Sequence, residues 1–405
     1  MNRAPALRVP LSLPHPLPAA ARVFCSLLSR LQAGHLRLQT PEGAWCVFGD
    51  PHSGPGAELL VRDWRACARI LAAGDIGFAE AWRAGWIDSN DLTALLRLAL
   101  RNEAALDRAV FGGRLSTLWY RVRHLLRANT RGGSRKNIHA HYDIGNNFYR
   151  LWLDGTWTYS SAWFDGDFSQ SLEQAQAAKY QRIIDVLGLR AGHRVLEVGC
   201  GWGGFAEHAA RKGIAVHGVT ISPAQLEVAQ QRLRTQGLEH LAQLELRDYR
   251  DLQGRYDAVV SIEMFEAVGE RFWPAYFRTV RDRLVPHGKA LVQSITIGEP
   301  HFARYRAGSD FIQQYIFPGG MLPSPQRFAT AARSQGLAVL DATPFGADYA
   351  ETLRRWRQAF DAQHEAVAGQ GFDEVFVRTW RLYLAYCEAG FDEGRTNVMH
   401  FLLQR

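Results

Sequence analysis

The sequence predicts an α/β protein built on a mostly parallel β-sheet with helices on both faces, preceded by a smaller α+β domain. From about residue 172 onward, helical patterns alternate with short apolar strands, which is the order that produces a parallel sheet. One of these strands, RVLEVGC, runs into glycines, as a strand does when it turns sharply into a helix beside a ligand. The run TNVMHFLLQ predicts a late strand added beside this sheet.

Length and composition narrow the class of protein. A chain of 405 residues allows two or three domains, and 47% hydrophobic with 21% charged residues is typical of a globular protein. Residues 1–20 are proline-rich without a compact apolar segment, so we predict a flexible leader and no signal peptide. No apolar run reaches about 18 residues, which argues against a membrane span. The cysteines are scattered without CxxC spacing, which predicts reduced thiols, a cytoplasmic protein and no metal site.

The first folded domain is predicted over residues 21–130 and mixes helical and strand patterns. Leucines at helical spacing follow Asn90 and Asp91, and either side chain suits the N-cap of that helix. The Gly/Ser/basic segment TRGGSRKN at 130–137 is the predicted boundary. Residues 131–405 then form the second and larger domain.

The excess of positive charge is local. The net charge is +7, and the stretch from Arg108 to Lys136 contains further arginines and no acidic residue. Trp119, Tyr120 and several leucines are interleaved with these arginines, which is typical of a helix lying on an anionic membrane surface. A solvated linker helix is the alternative. No nucleic-acid-binding motif accompanies the charge, so we expect an anionic lipid surface as the partner and no nucleic acid.

The elements of the larger domain follow in a regular order. Pro223 suits the first turn of a helix, and Gly213 and Gly237 suit helix ends. The predicted strands are RVLEVGC, IAVHGVTI, QLELRD, YDAVVSI, KALVQSITI, LAVLDA and TNVMHFLLQ. The predicted helices are SLEQAQAAKYQRIIDVLGL, GGFAEHAARKG, PAQLEVAQQRLRTQG, one near 270–284, two runs past 300, and two at about 348–368 and 373–389.

Residues that follow the strands are the candidate binding residues, because ligands of doubly wound sheets bind at the carboxyl ends of the strands. After the first strand come Gly199, Gly201 and Gly203. No Lys-Ser or Lys-Thr pair follows them, which argues against a phosphate loop, while a nucleoside cofactor and a plain turn stay open. The second strand leads to Thr220 and Gln225 and lacks the acidic residue of a dinucleotide fold, which disfavours NAD.

The third strand runs into Asp248, Tyr249 and Arg250. A polar residue followed by a flat ring suits the edge and the face of an adenine. Taken alone, Asp248 is more often a surface turn residue. Its position at a third strand end favours an adenosine-containing cofactor.

Several separated motifs then give the chain a resemblance to a known family. These motifs are HYDIGNNFY, TYSSAWF, LEQAQAAK, EVGCGWGGF, GVTIS, DYRDL, MFEAVG, YIFPGGMLPS and FGADY. In their order and spacing, residues 137–405 resemble the cyclopropane fatty acid synthases, which include the mycolic acid cyclopropane synthases. The N-terminal part matches this family only loosely.

The resemblance implies a class I S-adenosylmethionine-dependent methyltransferase, with a Rossmann-like seven-stranded sheet and helical insertions over an acyl site. It implies methyl transfer from S-adenosylmethionine to the cis double bond of a phospholipid acyl chain, followed by proton loss that closes a cyclopropane ring. One alternative is a methyl-branched or otherwise modified acyl chain. Another is a non-catalytic protein that binds lipid and S-adenosylmethionine. The family also implies that the N-terminal domain associates with lipid and that the protein is cytoplasmic and peripheral on the inner face of the membrane. A homodimer is a further expectation.

The family's site residues carry over onto this sequence by motif. The resemblance implies bicarbonate as general base, held by Glu266, Tyr349 and the backbone of Ile295; Ser161 and Gln293 stand where the family usually has Cys and His. It implies cofactor contacts from Tyr159 and Ser160 at the methionine end, from Gly199, Gly201 and Gly203 by backbone approach, from Thr220 and Gln225 at the ribose, and from Asp248, Tyr249 and Arg250 at the adenine. Aromatic rings are expected to stabilise the sulfonium and the carbocation, with core packing as the alternative for Phe164 and Phe265.

Overall fold

The computed structural model describes residues 17–106 and 144–405. These residues divide into two compact units, of which the first holds 17–106 with 373–393 and the second holds 144–372 with 394–405. Most of the predicted leader, the basic stretch from Arg108 to Lys136 and the predicted boundary at 130–137 lie outside the described residues. Within the described ranges, no helix is both long enough and apolar enough to cross a membrane.

The first unit begins with a small mixed sheet and three helices. The sheet order is β2-β1-β3-β4, in which β1 pairs parallel with β3 and antiparallel with β2. Asp91 caps α3, since its side chain accepts a hydrogen bond from the backbone N–H of Ala94 at 2.9 Å. The elements are α1 Ala19–Leu28, β1 His35–Gln39, β2 Trp45–Gly49, β3 Gly56–Val61, α2 Arg65–Arg83, β4 Ile87–Asp88 and α3 Leu92–Arg101.

The second unit contains a seven-stranded sheet of order β10-β11-β9-β8-β5-β6-β7. The strands β9, β8, β5, β6 and β7 are parallel, while β11 pairs antiparallel with both β9 and β10. Strand order therefore reverses between β5 and β8, which places the expected ligand site at their carboxyl ends. The strands are β5 Arg194–Val198, β6 Ala215–Thr220, β7 Ala242–Leu246, β8 Tyr256–Ile262, β9 Leu284–Ile297, β10 Ala338–Pro344 and β11 Thr396–Gln404.

Helices alternate with these strands as the sequence predicts. Pro223 stands in the first turn of its helix and Ser222 caps it, because the Ser222 hydroxyl accepts from the N–H of Gln225. The helices are α4 Asn146–Arg150, α5 Leu172–Leu187, α6 Gly204–Ala210, α7 Pro223–Thr235, α8 Trp273–Arg283, α9 Glu299–Ala307, α10 Phe311–Tyr315, α11 Pro325–Ser334, α12 Gly346–Ala362 and α13 His364–Gly369. The predicted α/β class is confirmed, and the predicted late strand, β11, is antiparallel to both of its neighbours.

The next helix along the chain, α14 (Glu374–Asp392), belongs to the first unit. It packs against α2 and α3, and Arg97 on α3 forms ion pairs with Asp392 at 3.2 Å and Glu393 at 2.7 Å. The sequence prediction placed every residue after 130 in one domain. The structure differs because the apolar face of α14 covers the helices of the first unit.

Candidate active site

The glycine loop at the end of β5 is bent by three glycines with positive φ. Gly199, Gly201 and Gly203 have φ of +86°, +51° and +82°, a region that favours glycine. A Cβ on Gly199 would stand 2.8 Å from the side chain of Met264, so the loop lies directly against the residues that follow β8. The first turn of α6 follows at Gly204. The backbone at this edge is therefore bare and sharply folded, as the sequence predicts.

The residues predicted to bind the ribose lie together at the end of β6. The Thr220 hydroxyl donates to Gln225 Oε1 at 3.2 Å, and both side chains are buried. Cys200, inside the glycine loop, is also buried, and this burial raises the pKa of its thiol well above the usual value. A thiol held neutral in this way is a small filler and not a nucleophile.

The residues predicted to meet the adenine follow β7. The Asp248 carboxylate accepts from the backbone N–H of Arg250 at 3.0 Å and from its guanidinium Nε and Nη2 at 2.8 and 2.6 Å. The ring of Tyr249 packs edge-on against Tyr276, with centroids 5.7 Å apart. Arg250 is thus the ionic partner of Asp248 and fixes its carboxylate.

Tyr159 and Ser160 lie in the loop that precedes α5. The Tyr159 ring is surrounded by Tyr149, Trp152 and Trp356, with centroids 5.4, 5.6 and 5.3 Å away. The motifs predict an aromatic-rich site, but they do not indicate these three neighbours. Such rings offer negative π-faces to a cation such as a sulfonium.

Two other rings pack into the core instead. Phe164 and Phe265 are both inaccessible to solvent, and Phe265 contacts Trp273 and Phe328 with centroids 5.4 and 5.0 Å away. Core packing, the alternative that the sequence left open for these residues, accounts for both. Trp163 stacks on His400 at 5.6 Å.

Three of the predicted catalytic residues meet on Glu263, which lies just before the motif MFEAVG and was not among the predicted site residues. Glu263 Oε1 accepts from the backbone N–H of Ser161 at 2.8 Å and from Gln293 Nε2 at 2.7 Å. Its Oε2 accepts from the Tyr349 hydroxyl at 2.6 Å. Ser161 is buried along with its Oγ, which donates to the carbonyl of Ala162 and not to this cluster.

Glu266 occupies a separate place beside this cluster. One oxygen, Oε1, accepts from the N–H of Ile295 and from the Ser294 hydroxyl at 3.0 Å, while Oε2 is buried with no partner among the described residues. Burial, and then the negative charge of Glu263, raises the pKa of Glu266 to about 8. Glu266 therefore favours its protonated form at neutral pH. The Ile295 N–H, which was predicted to contact bicarbonate, donates to Glu266 instead.

The predicted bicarbonate does not fit this arrangement. Ser161, Gln293 and Tyr349, which the resemblance assigns to the anion, all donate to the Glu263 carboxylate. Each donor is satisfied, and an anion added among them would meet a like charge. The Ser161 backbone N–H and the Gln293 and Tyr349 side chains hold a carboxylate of the protein itself.

His400 orients the amide of Gln293. The two residues face each other across the pairing of β9 and β11, and His400 Nε2 lies 2.8 Å from Gln293 Oε1. Burial lowers the pKa of His400 well below its usual value, so the neutral ring donates to Oε1. The Gln293 amide N–H is thereby directed at Glu263.

Lys179 on α5 is a buried cation close to this cluster. It has no exposed surface, and its Nζ donates to Ser160 Oγ at 2.6 Å and to Gln176 Oε1 at 2.7 Å. Burial lowers the pKa of Lys179 to about 7, although the charges of Glu263 and Asp154 act in the opposite direction. The sequence signal was the core-facing spacing of Gln176, Lys179 and Tyr180 in α5, where a lysine is unusual.

We expect Lys179→Met to change how stability depends on pH. Because the pKa of Lys179 is about 7 when folded and 10.5 for an exposed lysine, unfolding takes up a proton between these values, and stability rises with pH there. From pH 7 to 9 the free energy of unfolding of the wild type should rise by about 2 kcal/mol relative to the variant. Urea denaturation at both pH values measures this, with the exposed Lys212→Met as control. A difference that is constant with pH would contradict the prediction.

Comparisons with known proteins agree with this geometry. The family described as mycolic acid cyclopropane synthetase matches residues 130–401. The tuberculostearic acid methyltransferase UfaA1 of Mycobacterium tuberculosis is 38% identical over 96% of this chain and 93% of its own length. The cyclopropane-fatty-acyl-phospholipid synthase of Escherichia coli is 34% identical over 83% of this chain and 84% of its own.

Solved structures show the same fold. Mycolic acid cyclopropane synthase CmaA1, complexed with SAH and CTAB, superposes with a TM-score of 0.63 at 32% identity, over 67% of this chain and 98% of its own. Coclaurine N-methyltransferase, at 18% identity and a TM-score of 0.61, shares the fold alone. The seven-stranded sheet and its glycine loop define a class I S-adenosylmethionine-dependent methyltransferase. More narrowly, the chain belongs to the cyclopropane fatty acid and mycolic acid cyclopropane synthase family, and its cofactor is S-adenosylmethionine.

Proposed function

We propose that this enzyme transfers a methyl group from S-adenosylmethionine to a carbon of a cis double bond in a phospholipid acyl chain and then closes a cyclopropane ring. The observation that carries the proposal is the carboxylate pair Glu263 and Glu266, enclosed beside Ser160 and the glycine loop. The alkene π-electrons attack the sulfonium methyl, the S–CH3 bond breaks, and a carbocation forms at the other alkene carbon. Loss of a proton from the added methyl releases the electron pair that closes the ring.

The surroundings suit this chemistry. An alkene is a weak nucleophile, so the methyl donor must be held in line and water must be kept from the cation. The cluster of Tyr149, Trp152, Tyr159 and Trp356 supplies aromatic faces next to Ser160. These rings support a site for a sulfonium and a transient carbocation.

A methyl-branched chain is the second candidate product. The relative that aligns over 96% of this chain is named a tuberculostearic acid methyltransferase, and Ser161 and Gln293 replace the family's usual Cys and His. If the proton leaves a neighbouring chain carbon, the electron pair forms a new double bond and the product is a methyl-branched alkene. A saturated branch would need two further hydrogens from a separate reductant.

The products of purified enzyme distinguish these candidates. Labelled S-adenosylmethionine and vesicles of cis-monounsaturated phospholipid are incubated with the enzyme, and the fatty acids are analysed by mass spectrometry. A ring and a branched alkene are both one CH2 heavier than the substrate, and mild hydrogenation reduces the alkene while sparing more of the ring. A chain that binds S-adenosylmethionine without transferring label would support the non-catalytic alternative.

We also propose that the basic stretch from Arg108 to Lys136 contacts anionic membrane. Replacing Arg121, Arg123 and Arg127 with Glu should weaken binding to anionic vesicles at least about a hundredfold, since each basic residue near the surface contributes about 1 kcal/mol. Vesicle cosedimentation measures this, and S-adenosylmethionine binding should be unchanged. The same three positions changed to Lys retain the charge and serve as control. Equal vesicle binding by both variants would contradict the proposal.

A further inference from the structure

Glu263 occupies a backbone conformation that favours glycine. Its φ is +50°, in the left-handed region that a side chain adopts only when its surroundings hold it there. The Glu263 N–H donates to the carbonyl of Gln293 at 2.9 Å, which anchors the backbone independently of the side chain. Strain of this kind gathers at functional sites, and here it directs a carboxylate into the cluster beside Glu266.

The donors around this carboxylate are the groups expected around bicarbonate. Ser161, Gln293 and Tyr349 together donate three hydrogen bonds to the two oxygens of Glu263. A side-chain carboxylate and a bicarbonate ion present the same planar pair of oxygens to such donors. We propose that Glu263 is the general base of the reaction and replaces bicarbonate in this chain. This inference rests on the proposed methyl transfer to an alkene.

The position of Glu263 is suited to a base that meets substrate. The side chains of Ser161 and Gln293 are fully buried, whereas Glu263 itself retains partial exposure. Its neighbour Met264 packs against Gly199 of the glycine loop, and its partner Ser161 follows the predicted methionine-end residue Ser160. The carboxylate thus lies between the two segments that hold the methyl donor.

The proton transfer balances without any added reactant. After methyl transfer, a C–H bond of the cationic intermediate breaks and its electron pair forms the new carbon–carbon bond. The proton goes to Glu263 Oε2, which accepts one hydrogen bond, from Tyr349, among the described residues. The protonated Glu263 returns its proton to solvent after the product leaves. The same transfer serves a ring and a branched alkene.

The surroundings act on the pKa of Glu263 in two directions. Burial raises this pKa above the usual glutamate value, and the Tyr349 hydroxyl, the Lys179 charge and the two other donors limit that rise. Glu266 is held protonated by burial and by the charge on Glu263. Two neighbouring carboxyl groups in different surroundings, one with three donors and one with a buried unpartnered oxygen among the described residues, are an arrangement that acid–base catalysis uses.

The test compares two substitutions of Glu263 in the full chain, assayed in CO2-free buffer and with added bicarbonate. The wild type should turn over fully without bicarbonate. E263Q retains the shape without the base, so kcat should fall about 10²–10⁴-fold and bicarbonate should not restore it. E263G, which suits the positive φ, should lose as much activity and regain at least about tenfold with bicarbonate, because the donors are then free.

Several outcomes would overturn the proposal. A wild type that depends on bicarbonate, an E263Q variant that turns over normally in CO2-free buffer, or an E263G variant that bicarbonate does not stimulate would each do so. Thermal unfolding and S-adenosylmethionine binding of both variants show whether they fold.

A binding measurement separates this proposal from the proposed function. Isotopically labelled bicarbonate, followed by NMR, should bind E263G and not the wild type, whatever the lipid substrate is. If the wild type methylates no unsaturated phospholipid, the proposed function fails. The binding measurement still shows whether the donors of Ser161, Gln293 and Tyr349 can hold bicarbonate when Glu263 is absent. Equal binding of bicarbonate by the wild type and by E263G would refute the proposal that the Glu263 carboxylate takes the place of bicarbonate.

Discussion

Replacing Tyr349 with phenylalanine is expected to lower kcat about a hundredfold at neutral pH and to leave S-adenosylmethionine binding unchanged. The hydroxyl donates to Glu263 Oε2 at 2.6 Å, a charge-assisted bond that orients the carboxylate and lowers its pKa. Without this bond the pKa of Glu263 rises, so the rise of activity with pH should shift to higher pH. Steady-state kinetics across pH measures both effects.

Tyr256, at the opposite end of β8 from Glu263, provides a control for the Tyr349 variant. Tyr256 begins β8, whereas Glu263 follows its last residue, and the Tyr256 hydroxyl hydrogen-bonds to His217. Tyr256→Phe removes the same atom from the same fold, and we expect kcat to stay within about twofold of the wild type. Equal losses in both variants would show that Tyr349 acts through stability and not through Glu263.

Replacing Gly199 with alanine is expected to weaken S-adenosylmethionine binding about ten- to a hundredfold. The added Cβ would stand 2.8 Å from the Met264 side chain, and φ is +86°, so the loop and Met264 must move apart. Strain of this kind costs about 1–3 kcal/mol, and the movement displaces the backbone that is predicted to approach the cofactor. Calorimetric titration with S-adenosylmethionine measures the affinity.

Gly192 provides a matched control for the backbone conformation. It also has φ of +86°, but a Cβ there would meet nothing within 4 Å. Gly192→Ala therefore introduces the same strain in the second unit, away from the glycine loop. If Gly192→Ala weakened S-adenosylmethionine binding as much as Gly199→Ala, strain alone would explain the loss and the contact with Met264 would be irrelevant.

The parts of the fold that follow from local periodicity were predictable. The strands of the large sheet, the glycine loop and the cap at Asp91 depend on neighbouring residues, and their patterns stand in the sequence. The place of α14 was not predictable in this way. An amphipathic pattern tells that one face is buried, but it does not tell which unit covers that face.

The candidate site was likewise predictable only where local sequence motifs indicate its residues. The motifs indicate Glu266, Gln293 and Tyr349. Glu263 follows the last residue of β8 and has a positive φ, so the alternation of side chains along a strand does not predict the direction of its side chain. The available signal was a second carboxylate at the carboxyl edge of a central strand. Lys179 was missed because a lysine in a helix is read as a surface residue, although its spacing placed it on the buried face.

Because α14 belongs to the first unit, the order of folding cannot follow the order of the sequence. The chain leaves the first unit, builds most of the second, re-enters the first through α14, and then supplies β11 to the second. Neither unit is thus contiguous in sequence. The first unit is completed by α14, which is synthesised after most of the second unit, and the second unit is completed by β11, which is synthesised last. A cut after residue 372 would take a helix from one unit and an inner strand from the other. We expect the two units to mature together and late in synthesis, instead of folding one after the other as they emerge.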